Sequence, residues 1–260
     1  MVEVTLISQA DYGALAQFLA DFQDDGFDQS VWNRRLTWWW DENPAIPREN
    51  ERGWVLRSDG EIVGFLGNVP TLLQVLGQAT RVHSTTTWRV AHQYRSLSMK
   101  LFFKLVELSR DSLLFDTTPA DNVVKILQAL KFSQLPISSA HRRVIPINYE
   151  NIMRYKLGLG WHKNLVGKVV GPLWGLTRIL HCRVRAKLGD VRPVARADAE
   201  FDTFWEQTKG LFANTNVRTA EVLNWFCFGN DNLNKGLWGY YADGELRGYM
   251  ILRDFELKKS

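Results

Sequence analysis

VAHQYRSLSMKLFFKL, residues 90–105, closes a strand and opens a helix, and the order of elements around that junction decides the fold. The strand before it, 78–90, alternates, with His83, Thr85, Thr87 and Arg89 on one face. Such a polar stripe suits an open cleft better than a core. The helix after it is expected over about 95–109. LLFDTTPADNVVKILQALKF, 113–132, then supplies an apolar strand, 112–116, and a short amphipathic helix, 121–131, with Val124, Leu127 and Leu130 inward. Toward the N-terminus, 2–7 alternates like a strand. Asp11 is placed to cap a helix whose Leu15, Phe18, Leu19 and Phe22 share a face. A second helix, 30–40, ends before Asn43-Pro44. A hairpin follows, 53–57 and 61–69, with Asp59-Gly60 supplying the positive φ of a tight turn. Strand 72–76 pairs with 78–90, and 142–147 is a last strand. The order is β-α-α-β-β-β-α-β-α-β, a mixed α/β domain.

The chain also repeats itself. LTWW (36–39) returns as LNWF (223–226) at an offset of 187, as Ala10-Asp11 returns as Ala197-Asp198. Trp54 and DGEIVGF (59–65) return as Trp238 and DGELRGY (243–249) at an offset of 184. Two copies of one unit are the expected source. This gives a domain over 1–148, a connector over 149–190 and a partial second copy over 191–260. The second stretch holds no counterpart of 90–100 or 113–132, so any chemistry is expected from the first.

Charge is distributed unevenly. Residues 1–61 carry 5 Lys/Arg against 12 Asp/Glu, 62–197 carry 20 against 6, and 198–260 carry 7 against 10. No acidic residue occurs over 62–106 or 151–189. A field of one sign favours a polyanionic partner: a phosphate-bearing cofactor, a nucleic acid or an anionic membrane face. The block lacks an interleaved aromatic platform and a recognition-helix signature, which argues against nucleic acid. Two cysteines, Cys182 and Cys227, make neither a disulfide framework nor a metal site. No run approaches the length of a membrane span, and MVEVTLISQAD does not read as a secretion signal, so a cytoplasmic protein is expected.

The element order, with Val90, Tyr94 and Arg95 at its central junction and Leu130 and Phe132 closing the later helix, resembles the GCN5-related N-acetyltransferase superfamily. The resemblance implies an acyl-CoA-dependent N-acyltransferase, with acetyl-CoA or another acyl-CoA as co-substrate, no metal, and an amine acceptor such as an amino sugar or a lipid-linked intermediate. It places the co-substrate on Trp88, Arg89 and Val90 at the strand end, on Arg95, Ser96, Leu97, Ser98, Met99 and Lys100 at the helix start, and on Asn122. Diphosphate binds where free N–H groups open a helix. A backbone N–H near Val90 would hold the oxyanion.

Several positions depart from the family pattern. His92 stands in place of proline, Ser98 and Lys100 replace two small residues, and Lys131 replaces a glycine. Leu127 occupies the position of the tyrosine that protonates the leaving sulfur. Substitute acid or base groups are His83 on the central strand and Asp116 at the end of the next. Asn122 reads equally as a neighbour of the helix cap. The alternative function is a domain that binds CoA or a partner without catalysis.

Trp38-Trp39-Trp40 cannot all face one core, since successive helical positions lie about 100° apart; at least one is expected to be exposed, or to wall an acceptor cleft. The glycine-rich basic connector 149–190 either packs between the copies or lies on an anionic membrane surface at the inner face of the cell membrane. The oligomeric state is not legible.

Overall fold

The computed structural model describes residues 1–22, 26–46, 51–135, 189–229 and 235–253. Met1–Pro119 and Val191–Ser260 form one compact unit and Ala120–Asp190 a second. The expected strand 142–147 and most of the connector 149–190 lie outside the described residues.

In chain order the elements are β1 (Val2–Leu6), a 3-10 turn (Gln9–Asp11), α1 (Tyr12–Ala20), α2 (Gln29–Trp40), β2 (Gly53–Ser58), β3 (Glu61–Asn68), β4 (Thr71–Val75), β5 (Gln78–Val90), a 3-10 turn (His92–Leu97), α3 (Ser98–Leu108) and β6 (Leu113–Phe115). Then come α4 (Asp121–Ala129), which lies in the second unit, β7 (Asp190–Val194), α5 (Ala199–Thr208), β8 (Asn214–Asn216), α6 (Ala220–Phe228), β9 (Lys235–Ala242) and β10 (Glu245–Arg253). The fold is mixed α/β.

The larger sheet runs β1-β2-β3-β5-β4-β8, with β6 parallel to β5. β3 and β4 follow one another along the same edge of β5, with Asn68 opposite Thr85 and Thr71 opposite Val82. Pro70, which cannot donate to a ladder, separates them. Leu15 and Leu19 of α1 and Trp32, Leu36, Trp39 and Trp40 of α2 bury against Val55 and Phe65 of the sheet, each worth about 1.5–3 kcal/mol of transfer free energy. α3 packs on β2 and β3 through the fully buried Leu101, Phe102 and Leu105.

Asp28 caps α2, accepting the Val31 N–H at 2.9 Å. Contrary to the expectation from sequence, the Asp11 side chain does not cap α1. Its carboxylate turns back to the Ser8 N–H at 2.8 Å and to Arg57 Nη2 at 2.6 Å, a charge-assisted bond that a neutral N–H deeper in the helix does not match.

The second sheet, β7-β9-β10, repeats the order β1-β2-β3. Its register repeats as well. Trp54 faces Leu66 and Trp238 faces Met250; Leu56 faces Gly64 and Tyr240 faces Gly248. The ladder then slips by one residue at Val63 in one hairpin and at Arg247 in the other. Both hairpins close on Asp-Gly turns with positive φ at each residue, 51° and 88° at Asp59-Gly60, 55° and 80° at Asp243-Gly244. α5 and α6 precede β9 as α1 and α2 precede β2, and bury Phe201, Leu223 and Cys227 with Leu237, Tyr241 and Leu246.

Trp39 and Trp40 are buried, while Trp38 is half-buried and turned to the later part of the chain. Its outward face is not open to solvent as expected; it is covered by Trp225. There the last segment joins the first. β8 pairs with β4, the Val217 N–H donates to the Leu72 carbonyl at 3.0 Å, and the buried Gln74 amide donates to the carbonyls of Lys209 and Phe212 at 2.8 and 2.7 Å.

Candidate active site

β5 is the axis of the candidate site. β6 runs beside it only from Val82 to Ser84, where Ser84 faces Phe115. β5 continues for six more residues, paired with β3 on its other edge. Among the described strands nothing follows β6 along that stretch, so the sheet opens there. The Ala91 N–H donates to the Val63 carbonyl at 2.9 Å. In an antiparallel ladder successive N–H groups alternate in direction, so that of Val90 points away from β3 toward the opening.

A bulge sits in the same stretch. Phe65 faces Arg89 and Gly67 faces Thr86, so β5 carries one residue more than β3, and Thr87 takes a φ of 49°. For a β-branched residue this is an uncommon and strained conformation. Such strain collects at functional positions. Nothing in the sequence pattern marks it.

The junction differs from a plain helix start. His92–Leu97 forms a 3-10 turn, and α3 begins at Ser98, three residues later than expected. The Tyr94 N–H is bonded to the Ala91 carbonyl at 2.9 Å and that of Ser98 to the Arg95 carbonyl. Donation to a diphosphate by Ser98 therefore requires this weak turn to give way. The Arg95, Ser96 and Lys100 side chains are exposed, those of Leu97, Ser98 and Met99 half-buried. Trp88 lies flat on Phe102, centroids 5.3 Å apart, with its buried Nε1 unpartnered. Arg89 stands over the Phe22 ring at 5.1 Å.

His83 is buried at 3% exposure. Asn68 fixes its tautomer. The Asn68 Oδ1 accepts the Ser84 N–H at 3.2 Å and its Nδ2 donates to the Glu51 carbonyl at 2.7 Å, so the same amide group must donate to His83 Nδ1 at 3.0 Å. The His83 proton then sits on Nε2. Burial, seconded by the Arg81 charge, holds its pKa below the ordinary 6.5. Asp116, half-buried past the end of β6, accepts the Thr118 N–H at 3.3 Å in an Asx turn. The register sets Leu114 opposite His83, so the structure brings the strand of Asp116 beside β5 without joining the two side chains.

In the second unit, α4 carries the exposed Asn122 as its second residue and the buried Leu127, while Leu130 is exposed rather than inward. Among the described residues no three His, Cys, Asp or Glu side chains gather as a metal would need, and no described helix is long and apolar enough to cross a membrane.

No family model and no curated protein matches the sequence. Solved structures do. A probable N-acyltransferase of Enterococcus faecalis V583 superposes with a TM-score of 0.55 at 10% identity, over 96% of this chain and 54% of that one. Saccharomyces cerevisiae N-myristoyltransferase with bound myristoyl-CoA gives 0.48 at 15% identity, over 97% and 60%. Ribosomal-protein-alanine N-acetyltransferase of Brucella melitensis gives 0.40 at 17% identity, over 55% and 99%. The chain thus spans little more than half the length of the first two. It has the fold of the GCN5-related N-acetyltransferases, extended by a partial second copy of that fold's opening elements.

Proposed function

We propose that the chain is an acyl-CoA-dependent N-acyltransferase that delivers an acyl group to an amine, such as an amino sugar or a lipid-linked intermediate. The observation that carries this reading is the open, bulged end of β5, leading without a gap into a basic helix start. Arg95 and Lys100 are exposed cations where a diphosphate would lie. The Val90 N–H is a donor fixed before reaction, so it would stabilise a developing oxyanion without reorganising. A neutral amine would attack directly. Leu127 holds no proton to give, so water, or a group standing in for the family's tyrosine, must protonate the departing sulfur. Absence of a general acid costs about 10²–10⁴ in rate, which makes slow turnover part of the proposal.

A second reading, binding of CoA or a partner without catalysis, is favoured by Leu127 and by the buried, hydrogen-bonded state of His83. The lack of acidic residues over 151–189 supports contact of the connector with an anionic membrane face in the cytoplasm.

The test is calorimetric titration with acetyl-CoA, followed by thiol release with a panel of amines and amino sugars. Arg95→Ala should weaken acetyl-CoA about 5- to 100-fold through loss of a charge-assisted contact, and Leu127→Tyr should speed thiol release. No binding by the parent, or an unchanged affinity in Arg95→Ala, overturns the assignment of the junction. Binding without thiol release in either the parent or Leu127→Tyr selects the second reading.

A further inference from the structure

A cavity of about 430 Å³ opens where the first and last segments of the larger unit meet. This size falls in the range of small-molecule sites, about 300–1,000 Å³. Its walls are Trp38 of α2, Ala45 beyond that helix, Leu72 of β4, and Val222, Leu223 and Trp225 of α6, with Phe226 and Met250 as exposed apolar residues at the rim.

The polar groups on the lining divide sharply. The indole N–H groups of Trp38 and Trp225 are each bonded to a carbonyl. Asn43 donates to the Trp39 and Pro70 carbonyls and accepts the Ala45 N–H. Thr71, Asn216, Arg218 and Tyr249 supply the remaining polar side chains, and the last two lie together. The Tyr249 hydroxyl is buried and its proton has no acceptor, a state that ordinarily costs about 1–3 kcal/mol. Arg218 is exposed and has no carboxylate partner among the described residues. Burial pushes the Tyr249 phenol above its ordinary pKa, and the adjacent Arg218 guanidinium, within reach of the hydroxyl oxygen, draws it partly back.

We propose that this cavity binds a monocarboxylate with a medium-length alkyl body, the chain lying against the two tryptophans and the carboxylate held by the Arg218 guanidinium and the Tyr249 hydroxyl. An apolar wall takes the chain. An unpaired cation beside an unsatisfied donor selects an anionic, hydrogen-bond-accepting head over an ammonium or an ester. The site stands apart from the β5 junction and does not depend on acyl transfer.

The experiment is calorimetric titration of the full chain with dodecanoate, with quenching of tryptophan fluorescence by a brominated analogue as a second reading. The parent should bind one equivalent and be quenched. Tyr249→Phe removes only the unsatisfied hydroxyl; it should leave thermal stability unchanged or raised while weakening dodecanoate several-fold, a split a purely structural role does not produce. Arg218→Gln should weaken dodecanoate about tenfold, the loss of one charge-assisted contact, and leave dodecanol unaffected. Val222→Trp should abolish both by filling the cavity. Failure of the parent to bind, affinity unchanged in Arg218→Gln, or equal binding of dodecanoate and dodecyltrimethylammonium overturns the proposal.

Discussion

Trp38 and Trp225 each donate an indole N–H to the other's backbone carbonyl, at 2.9 and 2.8 Å, while their rings stack with centroids 5.2 Å apart and planes 21° from parallel. The two residues are separated by the same 187 positions as the repeated LTWW and LNWF, so each meets its own counterpart. Replacing either by phenylalanine keeps a ring in the stack but removes one indole donor, the Trp225 carbonyl retaining the Gly229 N–H at 3.1 Å. Each single change should cost about 1–3 kcal/mol in urea unfolding. The double change should cost less than the two added together, since they share one interaction.

Gly229 has an ordinary extended backbone, so a side chain there would be refused by space alone. A Cβ would run into the Trp225 carbonyl oxygen and the pyrrole edge of Trp38. Gly229→Ala should therefore destabilise by about 2 kcal/mol or more. Gly13 in α1 meets nothing within 4 Å. Gly13→Ala should stabilise by about 0.5–1 kcal/mol, and paired melting curves read both signs.

Since burial depresses the pKa of His83 in the folded chain, its contribution to stability is complete above pH 6.5 and is lost as pH falls below that value. The unfolded chain takes up the proton first. His83→Gln should flatten this limb of the pH–stability curve. Asn68→Asp places a carboxylate beside Nδ1 and should raise the His83 pKa, visible in its ring-proton titration by NMR.

Thr87→Gly should relieve the positive φ in β5 and stabilise the chain by about 1 kcal/mol. If the bulge serves the co-substrate, acetyl-CoA affinity should fall in the same variant as the strand loses its fixed shape. Equal or better affinity would make the bulge a feature of the sheet alone.

Patterns with short range were legible before any coordinates. The Asp-Gly turns set φ > 0 at fixed places, and the alternation along 78–90 and the helical face of Leu15 and Leu19 each follow from neighbours a few residues apart. The repeat even gives the register of the second hairpin, because an offset of 184 carries every pair of the first onto it. What escaped depends on distant partners. β8 is three polar residues, Asn-Thr-Asn, strand-like only because β4 offers an edge. Asn68 reads as one more residue of the strand 61–69 until Glu51, His83 and Ser84 converge on it. Arg218 and Tyr249 share a cavity whose walls come from positions 38 to 251. The shift of the helix start to Ser98 reflects competition between two hydrogen-bond spacings over the same carbonyls, which periodicity does not resolve.

The strand pairing of β8 with β4 has a bearing on how the polypeptide behaves when broken. The Gln74 amide, the Val217 N–H and the two tryptophans tie the 191–260 part of the larger unit to its 1–119 part by noncovalent contacts. A single protease cut within 120–190 would thus yield two fragments that migrate as one particle under native conditions and separate only in denaturant. Expressed separately, each would keep a bare strand edge and an uncovered indole, and the pair should reassemble by fragment complementation when mixed.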